Sequence, residues 1–323
     1  MNISDTIEKA QALLLANKAE WEKRYTDYAT SMLSNENCIK TNRRKFREQA
    51  PLRYYISTTN AKGARSALLL DVRYRGQSVA QLKTSKNDVT ISTKGKNMTN
   101  LRDFDCEIEL NDISWNESDA QKFRRFFKSR ENTRNRKNNK GNEEHNIESL
   151  LLSEFSKRNS KAKHILGIQP VKFCGIRFGM PTPISASDHK KPLKYAKQNG
   201  GGIDVFARTG IGGRSTYLTI IEVKDENKSD EPPTDTLKQA IQYAVFIREL
   251  LRSDCGEAWY KIFGFKGKIP KTLNIRVACA MPDNILDQSF AKTVYPIGSD
   301  CIECHYIYFK HDGQRFSNFQ TSL

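Results

Sequence analysis

Residues 203–224, IDVFARTGIGGRSTYLTIIEVK, decide how this chain is read. They hold two β-prone runs, IDVFAR (203–208) and YLTIIEVK (217–224), on either side of a glycine-containing turn, and so predict two strands. Three charged residues break the local pattern. Asp204 sits inside an apolar run, where a buried carboxylate needs compensation. Glu222 and Lys224 end the second run and, being two apart on a strand, project from one face. If the strands are neighbours, one site holds two carboxylates and one ammonium. Taken alone, such an E-x-K triplet is common and reads more readily as two ordinary salt-bridging residues at a strand end plus a capping aspartate.

Downstream, Pro232 and Pro233 end a charged loop before TDTLKQAIQYAVFIRELLRS (234–253), whose Leu237, Ala240, Ile241, Ala244, Ile247 and Leu251 form a helical stripe. LNIRVACAM (273–281) and CIECHYIYFK (301–310) have strand texture. Upstream, EEHNIESLLLSEFSKR (143–158) predicts a helix and VKFCGIRF (171–178) a strand, with a polar excursion before Ile203. The order α-β-β-β-α-β-β predicts an α/β domain with a mixed central sheet flanked by helices.

The first half has a different texture. Residues 4–33 keep Ile7, Ala10, Leu14, Trp21, Tyr25, Tyr28 and Met32 at helical spacing, interrupted by the polar Asn17 and Lys18, so one long helix, bent or broken there, is expected. From Arg65 to Leu110 short β-prone runs follow, with FDCEIEL (104–110) alternating in period two, and Ser118 is a plausible N-cap for DAQKFRRFFKS. RENTRNRKNNKGN (130–142) has no apolar side chain and reads as a linker. The expected organisation is a separate α+β domain at 1–129, a basic linker at 130–142 and a second domain at 143–323. The N-terminal domain is the candidate for recognition, for binding a protein partner or for forming a homodimer.

Charge narrows the function classes. The 53 Lys and Arg against 37 Asp and Glu give a formal net charge of +16, which points to a polyanionic partner, nucleic acid before a membrane surface. The surplus is concentrated. Residues 121–140 hold nine basic residues and one acid, and residues 157–197 hold ten with Asp188 as the one acid. No run of 18 apolar residues predicts a transmembrane helix, and the N-terminal sequence does not read as a secretory signal. The expectation is a cytoplasmic protein with its seven cysteines reduced. CIECH (301–305) spells a haem-attachment pattern but falls in strand texture, and the five histidines show no metal-ligand spacing.

The chemistry of the triplet suits phosphodiester cleavage. Two close carboxylates stay ionised cheaply only with a cation between them, and hard oxygen donors select Mg²⁺ or Mn²⁺. Such a metal acidifies its bound water and stabilises charge growing on a phosphate. Lys224 can orient the attacking water and offset phosphate charge.

Asp204 in GIDVFA, the glycine-rich turn and a strand ending in Ile220, Ile221, Glu222, Val223 and Lys224 resemble the PD-(D/E)XK nuclease superfamily, with its restriction-endonuclease-like fold. Gln239 and Tyr243 match the QxxxY element of its RecB-type and lambda-exonuclease-type branches, and at i and i+4 they share a helix face. The resemblance covers roughly 143–285. It departs from the family at the motif's proline, since Gly200, Gly201, Gly202 and Ile203 precede Asp204. It implies a restriction-endonuclease-like core that hydrolyses DNA, in restriction, anti-phage defence or repair. It further implies a metal held by Asp204, Glu222, the backbone carbonyl of Val223 and a glutamate of the first helix, Glu148 before Glu144 or Glu154. Gln239 and Tyr243 would then serve catalysis beside Asp204, Glu222 and Lys224. Lys190, Lys191, Lys194 and Lys197, in the loop leading to Asp204, are the candidate phosphate contacts. Two other readings stand beside this one: a nucleic-acid-binding protein that keeps the fold without catalysis, and an RNA-directed nuclease.

Overall fold

The computed structural model describes residues 2–58, 68–85, 88–95, 97–130, 140–156, 167–186, 192–198, 200–212, 215–227, 230–283, 291–312 and 315–323. Helices α1 (Ile3–Ala16), α2 (Lys18–Ser34) and α3 (Glu36–Asn42) open the chain. Asn2 caps α1 by accepting from the Ser4 N–H, and α1 ends at Asn17, whose side-chain amide donates to the Leu13 carbonyl at 2.8 Å. The polar turn in the apolar stripe is thus where the helix breaks, since Asn competes locally for backbone groups.

Next come β1 (Arg53–Ile56), β2 (Leu68–Tyr74), β3 (Gln77–Thr84), β4 (Val89–Ser92), α4 (Asn97–Asp103), β5 (Ile113–Ser114), α5 (Ser118–Ser129) and α6 (Lys140–Ser156). Short strands follow: β6 (Gln169–Pro170), β7 (Lys172–Phe173), β8 (Ile176–Phe178), β9 (Pro181–Thr182), β10 (Ile184–Ser185), β11 (Lys194–Tyr195) and β12 (Gly201–Gly202). The remainder is β13 (Val205–Gly212), β14 (Ser215–Val223), α7 (Pro233–Leu251), α8 (Gly256–Ile262), β15 (Asn274–Pro282), β16 (Thr293–Ile297), β17 (Asp300–His311) and β18 (Phe316–Thr321).

The protein is of the α/β class with mixed sheets, and the chain divides into two compact units. The α/β unit comprises Met1–Thr26, Leu150–Val171 and Gly179–Leu323; the second unit comprises Asp27–Ser149 and Lys172–Phe178. In the α/β unit the strand order is β16-β17-β15-β14-β13-β6, with β18 paired to β17. β13 and β14 are antiparallel, while β14, β15 and β17 run parallel. Leu218 to Val223 are all buried, as expected of a strand covered on both faces. α7 starts with Pro233 in its first turn, where the missing N–H costs nothing. Trp21 packs edge-on to Phe246 at 5.8 Å, and Tyr25 lies 4.9 Å from Phe246 and 6.0 Å from Trp259.

The second unit's sheet has the order β5-β4-β3-β2-β1-β8-β7, antiparallel except for the parallel β1–β8 pair. VKFCGIRF, expected as one strand, is a hairpin. Cys174 and Gly175 turn it with φ of 50° and 80°, the two positive values that a tight two-residue turn requires. FDCEIEL buries Phe104, Cys106 and Leu110 as its alternation predicts but forms no ladder strand; Leu110 bonds Thr93 instead. Ser118 is the first residue of α5, and Glu117 takes the cap position, its carboxylate accepting from the Ser114 N–H.

The units do not follow the split expected at 130–142. α1 and α2 as far as Thr26 belong to the α/β unit, and the β7–β8 hairpin belongs to the second because β8 pairs with β1. A polar stretch shows where no core can form, whereas an amphipathic helix does not say which surface will cover it. Residues 131–139 of that stretch lie outside the described residues.

Candidate functional site

The register of β13 on β14 sets the geometry. Val205 pairs with Ile221, and Asp204, one residue before β13, is bonded to the Val223 backbone next to Glu222, so both carboxylates lie near the end of β14, where both charges act on Tyr243. Like charges brought near each other cost stability. Here each carboxylate has a donor. The Val223 N–H donates to Asp204 Oδ2 at 2.9 Å, and Gln239 Nε2 donates to Glu222 Oε1 at 2.6 Å. Glu222 is 2% exposed and Gln239 7%, so this bond lies in a low-dielectric setting.

Lys224 follows β14, its N–H bound to the Ala280 carbonyl at 2.9 Å. Its ammonium lies 3.5 Å from Glu231, the residue before the two prolines that start α7. Tyr243, one turn beyond Gln239, is buried. Burial pushes its phenol above the ordinary range, and the Glu222 charge pushes it further, so it stays protonated. A Cβ on Gly201 would come 2.5 Å from the Tyr243 hydroxyl, and one on Gly200 would overlap the Ile184 backbone. Gly200 and Gly201 stand where the chain runs against Ile184 and Tyr243, whereas a Cβ on Gly202 would meet open space. Cys279 pairs with Glu222 across the parallel β14–β15 ladder, and burial raises its thiol well above the usual range.

Asp204, Glu222, Lys224, Gln239 and Tyr243 therefore gather at one end of the α/β sheet and the adjoining face of α7. Glu148 belongs to the second unit: it is buried on α6, 3.4 Å from His145 Nδ1, and its charge acts on Tyr55 and Arg73 of that unit. Glu144 falls in the same unit and Glu154 in the α/β unit. Lys194, on β11, and Lys197 are exposed; Lys190 and Lys191 lie outside the described residues.

Sequence reasoning missed Glu231, Cys279 and the Gly201–Tyr243 contact. Glu231 sits in a charged loop with no pattern of its own, and Cys279 looks like any small core residue of a strand. The three-glycine run was the one visible signal, since such a run marks close backbone approach.

Among the described residues no group of three or more His, Cys, Asp or Glu is placed to hold a metal ion. The pair Asp204 and Glu222, with the Val223 carbonyl, is an all-oxygen set. It fits a hard divalent cation that takes one or two carboxylates and keeps its own waters. Cys301 and Cys304, three apart on β17, point to opposite faces, and burial pushes the Cys304 thiol up to about 12. No helix among the described residues is long and apolar enough to cross a membrane. No family model, curated protein or solved structure matches the chain.

Proposed function

We propose that the α/β unit is the core of a metal-dependent deoxyribonuclease of the PD-(D/E)XK type. The observation that carries this reading is the gathering of Asp204 and Glu222 near the end of β14, Asp204 bound to the Val223 N–H and Gln239 holding one oxygen of Glu222 at 2.6 Å. Two carboxylates gathered at one strand end cost stability unless a cation joins them.

Asp204, Glu222 and the Val223 carbonyl would hold Mg²⁺ or Mn²⁺, which when bound acidifies water and offsets charge on a phosphate. Gln239 fixes the Glu222 carboxylate in one orientation. Lys224, beside the pair, orients the attacking water and balances charge on the phosphate, while Glu231 sets the position of its ammonium. Tyr243, protonated and seated against Gly201, holds the chain just before Asp204 in place. The basic composition supports a polyanionic substrate, and DNA is the one proposed. The test is incubation of the full chain with plasmid, linear duplex, single-stranded DNA and RNA, with Mg²⁺, Mn²⁺ or EDTA. Metal-dependent cleavage of DNA is expected; cleavage of RNA alone would replace the proposed substrate.

A further inference from the structure

The second unit contains a cavity of about 480 Å³ lined by Arg43, Arg44, Arg47, Lys172 and Arg177, with Glu48 the one carboxylate among the described residues of its wall. All of these belong to that unit. Lys172 and Arg177 are direct cross-strand partners in the β7–β8 hairpin, an arrangement of like charges that costs stability. Arg177 is 6% exposed and reaches Glu48 at 2.6 Å. Arg43 lies over Gly175 and donates to the Cys174 carbonyl at 3.0 Å; a Cβ on Gly175 would collide with its guanidinium. The turn thus keeps a glycine where a cation crosses it.

Arg43, Arg44, Arg47 and Lys172 are exposed and Arg177 is buried, and one carboxylate cannot neutralise five cations. Although solvent reaches Lys172, partial desolvation and the neighbouring Arg177 hold its ammonium below the ordinary range, which an added anion would reverse. Phe46 and Tyr54, with ring centroids 5.5 Å apart, complete the wall with aromatic surface. The volume falls in the usual range for small-ligand sites, roughly 300–1,000 Å³. We propose that this cavity binds a phosphate-bearing ligand of nucleotide size, its phosphate among the Arg and Lys groups and its base or sugar against Phe46 and Tyr54. The ligand is either a free nucleotide or the phosphorylated terminal nucleotide of a strand; both present the same chemistry.

Isothermal titration of the full chain in EDTA, so that no cleavage intrudes, tests this with three probes: ATP, a 5′-phosphorylated dodecamer of single-stranded DNA, and adenosine. Saturable binding of ATP or of the dodecamer is expected, and which of the two binds identifies the source. Lys172→Glu and Arg47→Glu, both at positions that solvent reaches, should each weaken it by about tenfold or more, the worth of a charge-assisted hydrogen bond. Glu222→Gln, in the other unit, should leave it unchanged, which separates this proposal from the nuclease reading. Absence of saturable binding to both phosphate probes would overturn the proposal. So would equal binding of adenosine, or unchanged affinity in both charge-reversal variants whose melting curves match the parent.

Discussion

At Gly201 the protein's tolerance is set by a single hydroxyl. An added methyl there would meet Tyr243 Oη at 2.5 Å, while the next nearest atoms lie at 3.4 Å and beyond. Gly201→Ala should destabilise by about 1–3 kcal/mol, the usual cost of overpacking. In a Tyr243→Phe background the same substitution should cost markedly less. Thermal melts of the four proteins form a double-mutant cycle; an additive result would show that the two residues do not meet. Gln239→Ala removes the donor to Glu222 Oε1 in a buried setting and should cost about 1–3 kcal/mol of stability. It should also slow cleavage, because the carboxylate loses its orientation. A melting temperature identical to the parent would contradict the bond. Both contacts were half legible in the sequence. Asp204, Glu222, Lys224, Gln239 and Tyr243 stood out by type and spacing, but which oxygen meets which donor depends on register. The Glu231 contact depends on how a charged loop folds back, which no periodicity encodes.

At the scale of elements, β17 carries a buried ionic cluster outside the candidate site. Burial alone would raise the Glu303 carboxyl, but hydrogen bonds from Lys292 and Arg276 outweigh it and hold it at about 2. A carboxylate depressed in the folded state stabilises fully above its ordinary pKa of 4.5, and that stabilisation is lost as pH falls toward 2. His305, beside it and kept neutral chiefly by burial, adds to the loss on acidification. Melting temperature should therefore fall steeply as the solution is acidified below about pH 4.5. Glu303 alone removes at most about 1.4 kcal/mol of stability for each step of one in pH, and Glu303→Gln should flatten the fall. A parent and variant with the same acid profile would refute the cluster's role. Elements were read best where one pattern had one solution: β13, β14, α7, β15 and β17 lie where alternation and helical spacing put them. The failures share a cause. FDCEIEL alternates without a strand partner, and VKFCGIRF hides a hairpin because Cys174 adopts a positive φ that its residue type does not announce.

For the molecule as a whole, partition was the least legible property, since it depends on which apolar faces meet. Trp21 and Tyr25 close on Phe246 and Trp259, so the start of α2 forms part of the α/β unit's core. A fragment beginning at residue 143 would expose those aromatic surfaces and should not fold alone. Trp21→Ala in the full chain should cost about 3–5 kcal/mol. A stable, monomeric 143–323 fragment would show that the helices are dispensable. The carboxylates Asp204 and Glu222 are best tested by plasmid cleavage with the parent, Asp204→Asn and Glu222→Gln, each with Mn²⁺ and with EDTA. Metal-dependent nicking or linearisation is expected of the parent and a loss of about 100-fold or more in each variant, of the order expected when groups that organise charge stabilisation are removed, with unchanged folding by circular dichroism. Full activity in either variant, or parent cleavage that persists in EDTA, would contradict the paired carboxylate site.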